Sequence, residues 1–434
     1  MQFIADLQIH SKYSRATSKN LSVRTLAEGA KIKGINVLGT GDCTHPLWLK
    51  ELKENLQQVG ETGIYKYGDI LWMITGEVST DYEQDGKLHR VHHLFHIPSF
   101  EVADQINEQL AKHVDLKIDG RPMIKITSPE FVEILMSIDR TIMITPSHAW
   151  TPWFGVFGSK SGFDSLEDCY QDQIKHIFSL ETGMSSDPAM NWRLSTLDKI
   201  TLVSNSDAHS ANPWRLGREA NVFEMNEDEF TYKNFVDAVK NKDKKKFLFT
   251  IETDPNYGKY HFDGHRVCGF SCEPEQTKTL NGICPRCKRK ITVGVLNRVE
   301  QLADRPEGFV PKDAIPFKNL LPLYEIISAT LGIDQLYSKK VIEEQDKLIS
   351  RFGNEFNILL NITHDELIKV TSEKIADSIL KIREGSVKFI PGYDGVYGKP
   401  IFNEVGNLKN KISGMKIQSS LKEFGKSNNK STGP

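Results

Sequence analysis

The chain has 434 residues, of which 39% are apolar and 26% are charged, and its formal net charge is −2. This length predicts two or three domains, and the composition excludes extended disorder. Because the net charge is close to zero, the protein as a whole does not attract nucleic acid electrostatically. A local basic face could still bind DNA. No apolar run reaches the length of a membrane span and no signal peptide is recognised, so no membrane partner is expected. Six cysteines do not form a disulfide framework, which predicts a reducing, cytoplasmic setting.

Alternating strands and helices are predicted over roughly the first 210 residues, a pattern typical of a parallel sheet with crossover helices. One helix is predicted to begin after Ser22 as its N-cap and to end at Gly34. Seven such strands would nearly close a barrel. The predicted strands are Phe3–Leu7, Ile35–Gly39, Leu71–Thr75, Val91–Ile97, Thr141–Thr145, Ile177–Leu180 and Leu202–Ser204.

Histidine, aspartate or glutamate lies in or directly after every one of these strands. Active sites of parallel barrels lie at the carboxyl ends of the strands, so these side chains are expected to converge there. They supply the nitrogen and oxygen ligands of zinc, manganese or iron, and they are numerous enough for two or three ions bridged by a carboxylate such as Glu77. The residues are Asp6, His10, Asp42, Glu77, His92, His93, His96, His148, Glu181, Asp207 and His209.

Such a cluster favours phosphoester hydrolysis, because clustered metals activate a bound water and grip a phosphate oxygen. No serine or cysteine is placed like an activated nucleophile. Alternation places His93 on one face of its strand with Val91 and Phe95, and His92 with His96 on the other, and the sequence does not decide which face meets the site.

Four cysteines in a loop-rich segment have the spacing of a zinc ribbon, and they predict one structural zinc ion. They are Cys268, Cys272, Cys284 and Cys287, with a basic cluster of Arg286, Lys288, Arg289 and Lys290 beside them. From about Phe317 onward, apolar residues at three- and four-residue spacing predict amphipathic helices. The last stretch is rich in lysine, serine and asparagine and is expected to be flexible.

Aromatic and arginine residues follow two of the proposed ligands. Two interpretations stay open: these residues line a pocket for a base flipped out of DNA, or they pack the loops onto the next domain. Trp150, Trp153 and Phe154 follow His148, and Arg215 and Arg218 follow His209.

The runs ADLQIHSKYS, GTGD, TGEVS, VHHLF, TPSHAWTPW and SNSDAHS, in this order, resemble the motifs of the PHP (polymerase and histidinol phosphatase) superfamily. With the cysteine segment, the helical segment and the late run KFIPGYDGVYGKP, the chain is similar to the endonuclease Q family as far as about Phe402. The resemblance implies an α/β fold with a PHP-type distorted (β/α)7 barrel, a small zinc-ribbon-like segment and a C-terminal helical domain. The corresponding boundaries are 1–250 for the catalytic barrel, 251–312 for the zinc segment, 313–402 for a DNA-contacting helical domain and 403–434 for the tail.

The resemblance also implies a hydrolase, a metal-dependent DNA-repair endonuclease that cuts 5′ to a deaminated base (hypoxanthine, uracil or xanthine) or an abasic site. Its products would carry 3′-hydroxyl and 5′-phosphate ends. Asp207, Glu77 and His10 would be catalytic, and Trp150, Trp153, Phe154, Arg215 and Arg218 would contact DNA or the base. The implied barrel ligands, with His93 favoured over His92, are Gln8, His10, Asp42, Glu77, His93, His148, Asp207 and His209.

The expected cofactors are zinc in the cysteine site and in the barrel, with Mg²⁺ or Mn²⁺ as the alternative for catalysis. The expected partner is damaged double- or single-stranded DNA; a sliding clamp is a further candidate that the sequence does not identify. The family would show histidine at position 8, where this chain has Gln8, and PHP proteins commonly show histidine where Asp42 stands. Two alternatives therefore stay open: a small-molecule phosphoesterase like histidinol phosphatase, and a lesion-binding protein with a weakened metal site and no catalysis.

Overall fold

The computed structural model describes residues 1–402, so the predicted tail lies outside the described residues. The strands are β1 Gln2–Asp6, β2 Val37–Gly39, β3 Gln57–Gln58, β4 Tyr65–Tyr67, β5 Ile70–Gln84, β6 Lys87–Ile97, β7 Met123–Ile124, β8 Met143–Pro146, β9 Ser179–Glu181, β10 Thr201–Val203, β11 Ala220–Glu224, β12 Phe247–Glu252, β13 Asp263–His265, β14 Phe270–Cys272, β15 Phe317–Asn319, β16 Lys388–Ile390 and β17 Lys399–Ile401. The α-helices are α1 Val23–Lys33, α2 Pro46–Asn55, α3 Phe100–Leu110, α4 Ser128–Ile138, α5 Leu166–Tyr170, α6 Pro188–Asn191, α7 Tyr232–Lys240, α8 Pro274–Thr279, α9 Val295–Leu302, α10 Leu323–Leu331, α11 Lys339–Phe352, α12 Glu355–Leu360, α13 His364–Leu367 and α14 Glu373–Arg383.

Seven strands form a ring that corresponds to the predicted barrel, and the mixed α/β class is confirmed. Strands β1, β2 and β5 are parallel neighbours, and β6 connects β5 to β8. Strands β9 and β10 are parallel, and two single bridges join this pair to the rest, Ile144 with Ile177 and Ile9 with Ala208. One feature differs from the expected all-parallel order: β6 is antiparallel to β5, joined by a tight turn at Asp85 and Gly86, both with positive φ.

The main sheet continues beyond the ring. Strand β11 pairs antiparallel with β1, β12 pairs antiparallel with β11, and β15 pairs in parallel with β12. Because β15 directly precedes the helical region, this pairing connects that region to the ring through the sheet itself.

Helix α1 shows how the local sequence sets the predicted element boundaries. The side chain of Ser22 accepts a hydrogen bond from Thr25 N–H, and Gly34 ends the helix with φ 94°. A glycine suits this position because the left-handed conformation is costly for residues with a Cβ atom. The predicted start and end of this helix are confirmed.

The helices α10 to α14 pack on each other and against the ring. Two buried ion pairs cross the contact: Lys33 Nζ lies 2.6 Å from Glu355 Oε1, and Arg218 Nη2 lies 2.7 Å from Glu325 Oε1. The C-terminal helical region is therefore confirmed, whereas the exact domain boundaries stay predictions. No helix within residues 1–402 is both long enough and apolar enough to cross a membrane.

Candidate metal centre and nucleic-acid interface

His10 lies at the centre of the mouth of the ring, just beyond β1. Its Nε2 atom lies 2.9 Å from Asp207 Oδ1 and 3.3 Å from Glu77 Oε2, and His209 packs edge-on against its ring at 4.7 Å between ring centroids. Suitable ligand atoms of His10, Asp207 and His209 all lie within 4.8 Å of one another. These three residues therefore form a first group that could hold a metal ion.

A second group lies on the other side of Glu77. Its Oε1 atom is 3.1 Å from His92 Nδ1 and 3.6 Å from His148 Nε2, and the three residues again bring ligand atoms within 4.8 Å. Glu77 thus extends one carboxylate oxygen toward each group. This is the arrangement that the sequence predicted for a bridging carboxylate.

The charges at the mouth favour cation binding. Burial lowers the pKa of His10, but the carboxylates of Asp42, Asp207 and Glu77 outweigh burial, and the pKa is raised well above its ordinary value. Burial raises the pKa of Glu77, but Arg121 and His92 outweigh it, and that pKa lies well below its ordinary value. Buried carboxylates that stay ionised attract positive partners.

One further observation, made on the side chain of Gln8, supports a metal ion at this site. It is 1% exposed, and neither its Nε2 nor its Oε1 atom has a hydrogen-bond partner among the described residues. A buried amide without a partner costs free energy, so the site is suited to an additional group such as a hydrated ion. The residues that the structure brings together and that could hold such ions are His10, Glu77, His92, His148, Asp207 and His209, and Gln8 stays a predicted further ligand.

Replacing Gln8 with histidine is expected to raise metal occupancy at least about tenfold, because imidazole is the stronger ligand for zinc-like ions. Metal content after gel filtration, measured together with DNA nicking, checks this prediction. The matched control is Gln58→His on strand β3, where Gln58 is exposed. If neither metal content nor nicking changes in the position-8 variant, the side chain does not reach the site.

His93 is not at the mouth, and the preference for it over His92 is wrong. Strand β6 pairs with β5 so that Glu77 lies opposite Leu94, which places His92 on the same face as Glu77 and His93 on the other face. The His93 ring is buried instead against Tyr170, whose hydroxyl lies 2.8 Å from Nδ1, and Thr80, whose hydroxyl lies 3.0 Å from Nε2.

Asp42 supports His10 and does not face the mouth as a ligand, contrary to the prediction. Its Oδ1 atom lies 2.9 Å from His10 Nδ1, and its Oδ2 atom accepts hydrogen bonds from the Ser11 N–H at 2.6 Å and the Ser14 hydroxyl at 2.8 Å. Both carboxylate oxygens are therefore occupied. A carboxylate on the far nitrogen of a histidine fixes the ring orientation and tautomer, so Asp42 orients His10 toward Asp207.

The cysteine segment forms a second candidate metal site with a different ligand set. His265, Cys268, Cys284 and Cys287 bring ligand atoms within 4.8 Å of one another. Cys272, the fourth predicted ligand, is not in this group: it is buried, and its Sγ atom lies 3.2 Å from the hydroxyl of Thr277. The geometry therefore favours a set of one histidine and three cysteines, and the predicted four-cysteine set stays the alternative.

The predicted DNA-contacting residues divide between the two interpretations. Trp150 is buried with its indole N–H donating to Asn191, and Arg218 is buried against Glu325, so both are structural and the DNA-contact prediction for them is contradicted. Phe154 packs against His92 with ring centroids 4.5 Å apart, and Trp153 is 39% exposed. Arg215 donates to the Tyr397 hydroxyl.

Two residues at these sites were not predicted from the sequence. Arg121 places Nη1 3.4 Å from Glu77 Oε2, but it follows no strand of the ring, so the strand-end pattern does not include it. His265 precedes Cys268 by the same spacing that separates Cys284 from Cys287, and that repeated spacing is a signal that was present in the sequence.

The chain was then compared with known proteins. Residues 322–386 match the family described as the MJ0043 C-terminal domain. The chain is 36% identical over 262 residues to an uncharacterized protein, MJ0043, of Methanocaldococcus jannaschii, and covers 60% of its own length but only 32% of that protein.

Solved structures match nearly the whole chain. The lesion-specific endonuclease PfuEndoQ from Pyrococcus furiosus is 33% identical, with a TM-score of 0.83, and the match covers 94% of this chain and 99% of that one. An endonuclease Q complex with a 27-mer duplex substrate carrying an abasic lesion at the active site is also 33% identical, with a TM-score of 0.83, over 93% and 97% of the two chains.

The chain therefore has the fold of a class of endonucleases, and that fold includes the ring, the candidate metal-ligating groups and the helical region. More particularly, the chain belongs to the endonuclease Q family.

Proposed function

We propose that this protein is a metal-dependent DNA-repair endonuclease that cuts the phosphodiester 5′ to a deaminated base (hypoxanthine, uracil or xanthine) or an abasic site. The observation that carries the proposal is Glu77, which extends one oxygen toward each of two groups of metal-ligating side chains. Family membership and the solved complex of a relative with an abasic duplex support the choice of DNA as the substrate.

Hydrolysis would form a bond between a water oxygen and phosphorus and break the bond from phosphorus to the 3′ oxygen. The water gives up a proton to a basic group of the site, and the 3′ oxygen takes up a proton, which leaves 3′-hydroxyl and 5′-phosphate ends. Zinc, or Mg²⁺ or Mn²⁺, would lower the pKa of the attacking water and offset the charge of the phosphate. Asp207, Glu77 and His10 are the proposed catalytic residues, and Asp42 keeps His10 oriented.

The duplex is proposed to bind across the mouth of the ring, the cysteine segment and the helical region. Phe154 and Trp153 would contact the displaced base, since aromatic faces stack on bases without regard to sequence. The exposed Lys288, Arg289 and Lys290 next to the cysteine cluster would contact phosphates, a contribution that weakens as salt is added.

Replacing Asp207 with alanine is expected to lower cutting by at least about 10²–10³-fold, the usual cost of losing a group that stabilises transition-state charge. The assay uses labelled duplexes with deoxyinosine, deoxyuridine or an abasic site, and an undamaged control, with Mn²⁺ or Mg²⁺. Asp172→Ala is the matched control, because that carboxylate is 73% exposed and pairs with Lys175. A nick 5′ to the lesion that disappears only in the Asp207 variant supports the proposal.

Two other outcomes would replace the proposal. Release of phosphate from small monoesters without nicking would identify a phosphoesterase, although a small substrate does not need the cysteine and helical segments. Tight lesion binding without cutting under any metal would identify a non-catalytic lesion-binding protein, a candidate that is favoured by glutamine at position 8, where the family would show histidine.

A further inference from the structure

Arg121 reaches the mouth of the ring from a loop that lies outside the ring strands, between α3 and β7. The loop is held close by Gly120, where an added Cβ atom would lie 2.3 Å from Asp42 Oδ2. On the other side of Arg121, the Pro122 carbonyl accepts a hydrogen bond from the Ser79 N–H at 2.9 Å. The backbone on both sides of Arg121 is therefore fixed to the elements that carry the candidate site.

Only one of the N–H donors of the Arg121 guanidinium is hydrogen-bonded to another described residue of the protein. Its one hydrogen bond to another described residue joins Nη1 to Glu77 Oε2 over 3.4 Å, and the side chain is 24% exposed. By contrast, Arg305 forms a bidentate pair with Asp198 at 2.7 and 2.6 Å. A guanidinium has five N–H donors, so most of those of Arg121 stay available for a ligand at the mouth.

The position of Arg121 is also informative. It contacts the Oε2 atom of Glu77, the same oxygen that faces His10 at 3.3 Å, while Oε1 faces His92 at 3.1 Å. Arg121 thus lies beside the residue that connects the two metal-ligating groups. The other side chains that contact Glu77 at the mouth are histidines, whose charge depends on pH. Among these described contacts of Glu77, Arg121 is the side chain that stays positively charged at any physiological pH.

We propose that Arg121 is a further catalytic residue whose guanidinium binds a non-bridging oxygen of the phosphate that is cut. This inference rests on the proposed endonuclease function. Ionised carboxylates at the mouth repel a phosphodiester, and a planar guanidinium matches the geometry of phosphate oxygens in a bidentate contact. The negative charge on those oxygens is stabilised during attack, so the contact contributes most in the transition state.

A different role for Arg121 would be to neutralise Glu77 without touching DNA. In that case its loss would change the metal content or the thermal stability of the protein, and a metal-saturated variant would cut normally. The two roles therefore predict opposite results for cutting rate and metal content.

The test compares Arg121→Gln, Arg121→Lys and the control Arg15→Gln. Arg15 is 79% exposed and pairs with Asp119 of the same loop, so its loss removes a cation without touching Glu77. Single-turnover cutting of a lesion duplex is measured against enzyme concentration, which separates the maximum rate from the half-saturating concentration. Metal content and melting temperature are measured on the same samples.

We expect Arg121→Gln to lower the maximum single-turnover rate about 10²–10³-fold and to change the half-saturating concentration less than about threefold. Its metal content and melting temperature are expected to match those of the wild type, and Arg121→Lys is expected to recover part of the rate. Cutting at the wild-type rate, or a slow rate explained by lost metal, would overturn the inference. If the unmodified protein cuts no lesion duplex, the proposed function itself fails, and that result is distinct from a normal rate in the Arg121 variants.

Discussion

Replacing His265 with alanine is expected to release the metal ion from the cysteine cluster, whereas replacing Cys272 with serine is expected to leave it bound. His265 Nδ1 lies 3.5 Å from Cys287 Sγ, and both belong to the group of four with Cys268 and Cys284. Cys272 lies outside that group, buried against Thr277. Tetrahedral zinc needs four ligands, so loss of His265 removes one of them.

The measurement is zinc per chain after gel filtration with a mild chelator. We expect the wild type and Cys272→Ser to hold about one more zinc ion per chain than His265→Ala or Cys284→Ser, in addition to any zinc held at the ring mouth. Because metal binding to such a segment is also folding free energy, strands β13 and β14 should lose protection from hydrogen exchange in the variants without zinc. Zinc retained in His265→Ala and lost from Cys272→Ser would instead establish the four-cysteine set.

Replacing Lys33 with methionine is expected to lower the free energy of unfolding by about 3–5 kcal/mol, the usual cost of leaving one buried charge without its partner. Lys33 is 1% exposed, and its ammonium donates to Glu355 Oε1 at 2.6 Å and to the Pro213 carbonyl at 3.1 Å. Denaturant unfolding measures the change. Lys31→Met is the matched control, because Lys31 lies on the same helix and is 77% exposed.

The loss should depend on pH in a defined direction. Burial raises the pKa of Glu355 while Lys33 lowers it, and the net result is a raised pKa, so removal of Lys33 raises it further. A carboxyl whose pKa is higher in the folded than in the unfolded protein does not destabilise the fold at a pH below its unfolded pKa. As the pH rises above that value, the unfolded state gives up the proton more readily, and the free energy of unfolding falls. The extra loss of stability in Lys33→Met, relative to the wild type, should therefore be small at acid pH. It should begin as the pH rises through the raised pKa of Glu355 in the wild type, and grow up to the still higher pKa that this carboxyl has in the variant.

A double variant tests the same ion pair by removing both charges instead of one. Lys33→Met combined with Glu355→Leu replaces both charges with apolar groups and is expected to recover most of the lost stability. A double variant as unstable as Lys33→Met alone would show that packing around α1, and not the uncompensated carboxylate, causes the loss.

The ring could be predicted from the sequence because alternating apolar runs and helical patterns are local signals. Strand β6 was predicted over Val91–Ile97, but its antiparallel direction was not, although the pair Asp85-Gly86 between alternating residues is a strong hairpin signal. That hairpin decides between His92 and His93, because the register of Glu77 opposite Leu94 places His92 at the mouth. Strand register is a tertiary property that a two-residue period alone does not specify.

The residue types of the candidate metal site could be predicted from the sequence, but the part that each residue plays could not always be predicted. His10, Glu77, His148, Asp207 and His209 meet at the mouth because strand ends meet there. Asp42 follows a strand in the same way, yet the Ser11 and Ser14 donors hold its carboxylate behind His10. Arg121 could not be predicted, because its loop is brought to the mouth by tertiary contacts, such as that of Gly120 with Asp42 and the hydrogen bond from Ser79 N–H to the Pro122 carbonyl.

The ion pair between Lys33 and Glu355 also has a consequence for the order of events during synthesis. The two residues are 322 positions apart in the chain, so the bond forms only after nearly all of residues 1–402 have left the ribosome. Loop closure over such a distance costs only slightly more entropy than closure over a shorter one. The delay is therefore kinetic: helix α1 is made long before helix α12, so its buried lysine waits for its partner until α12 has been made.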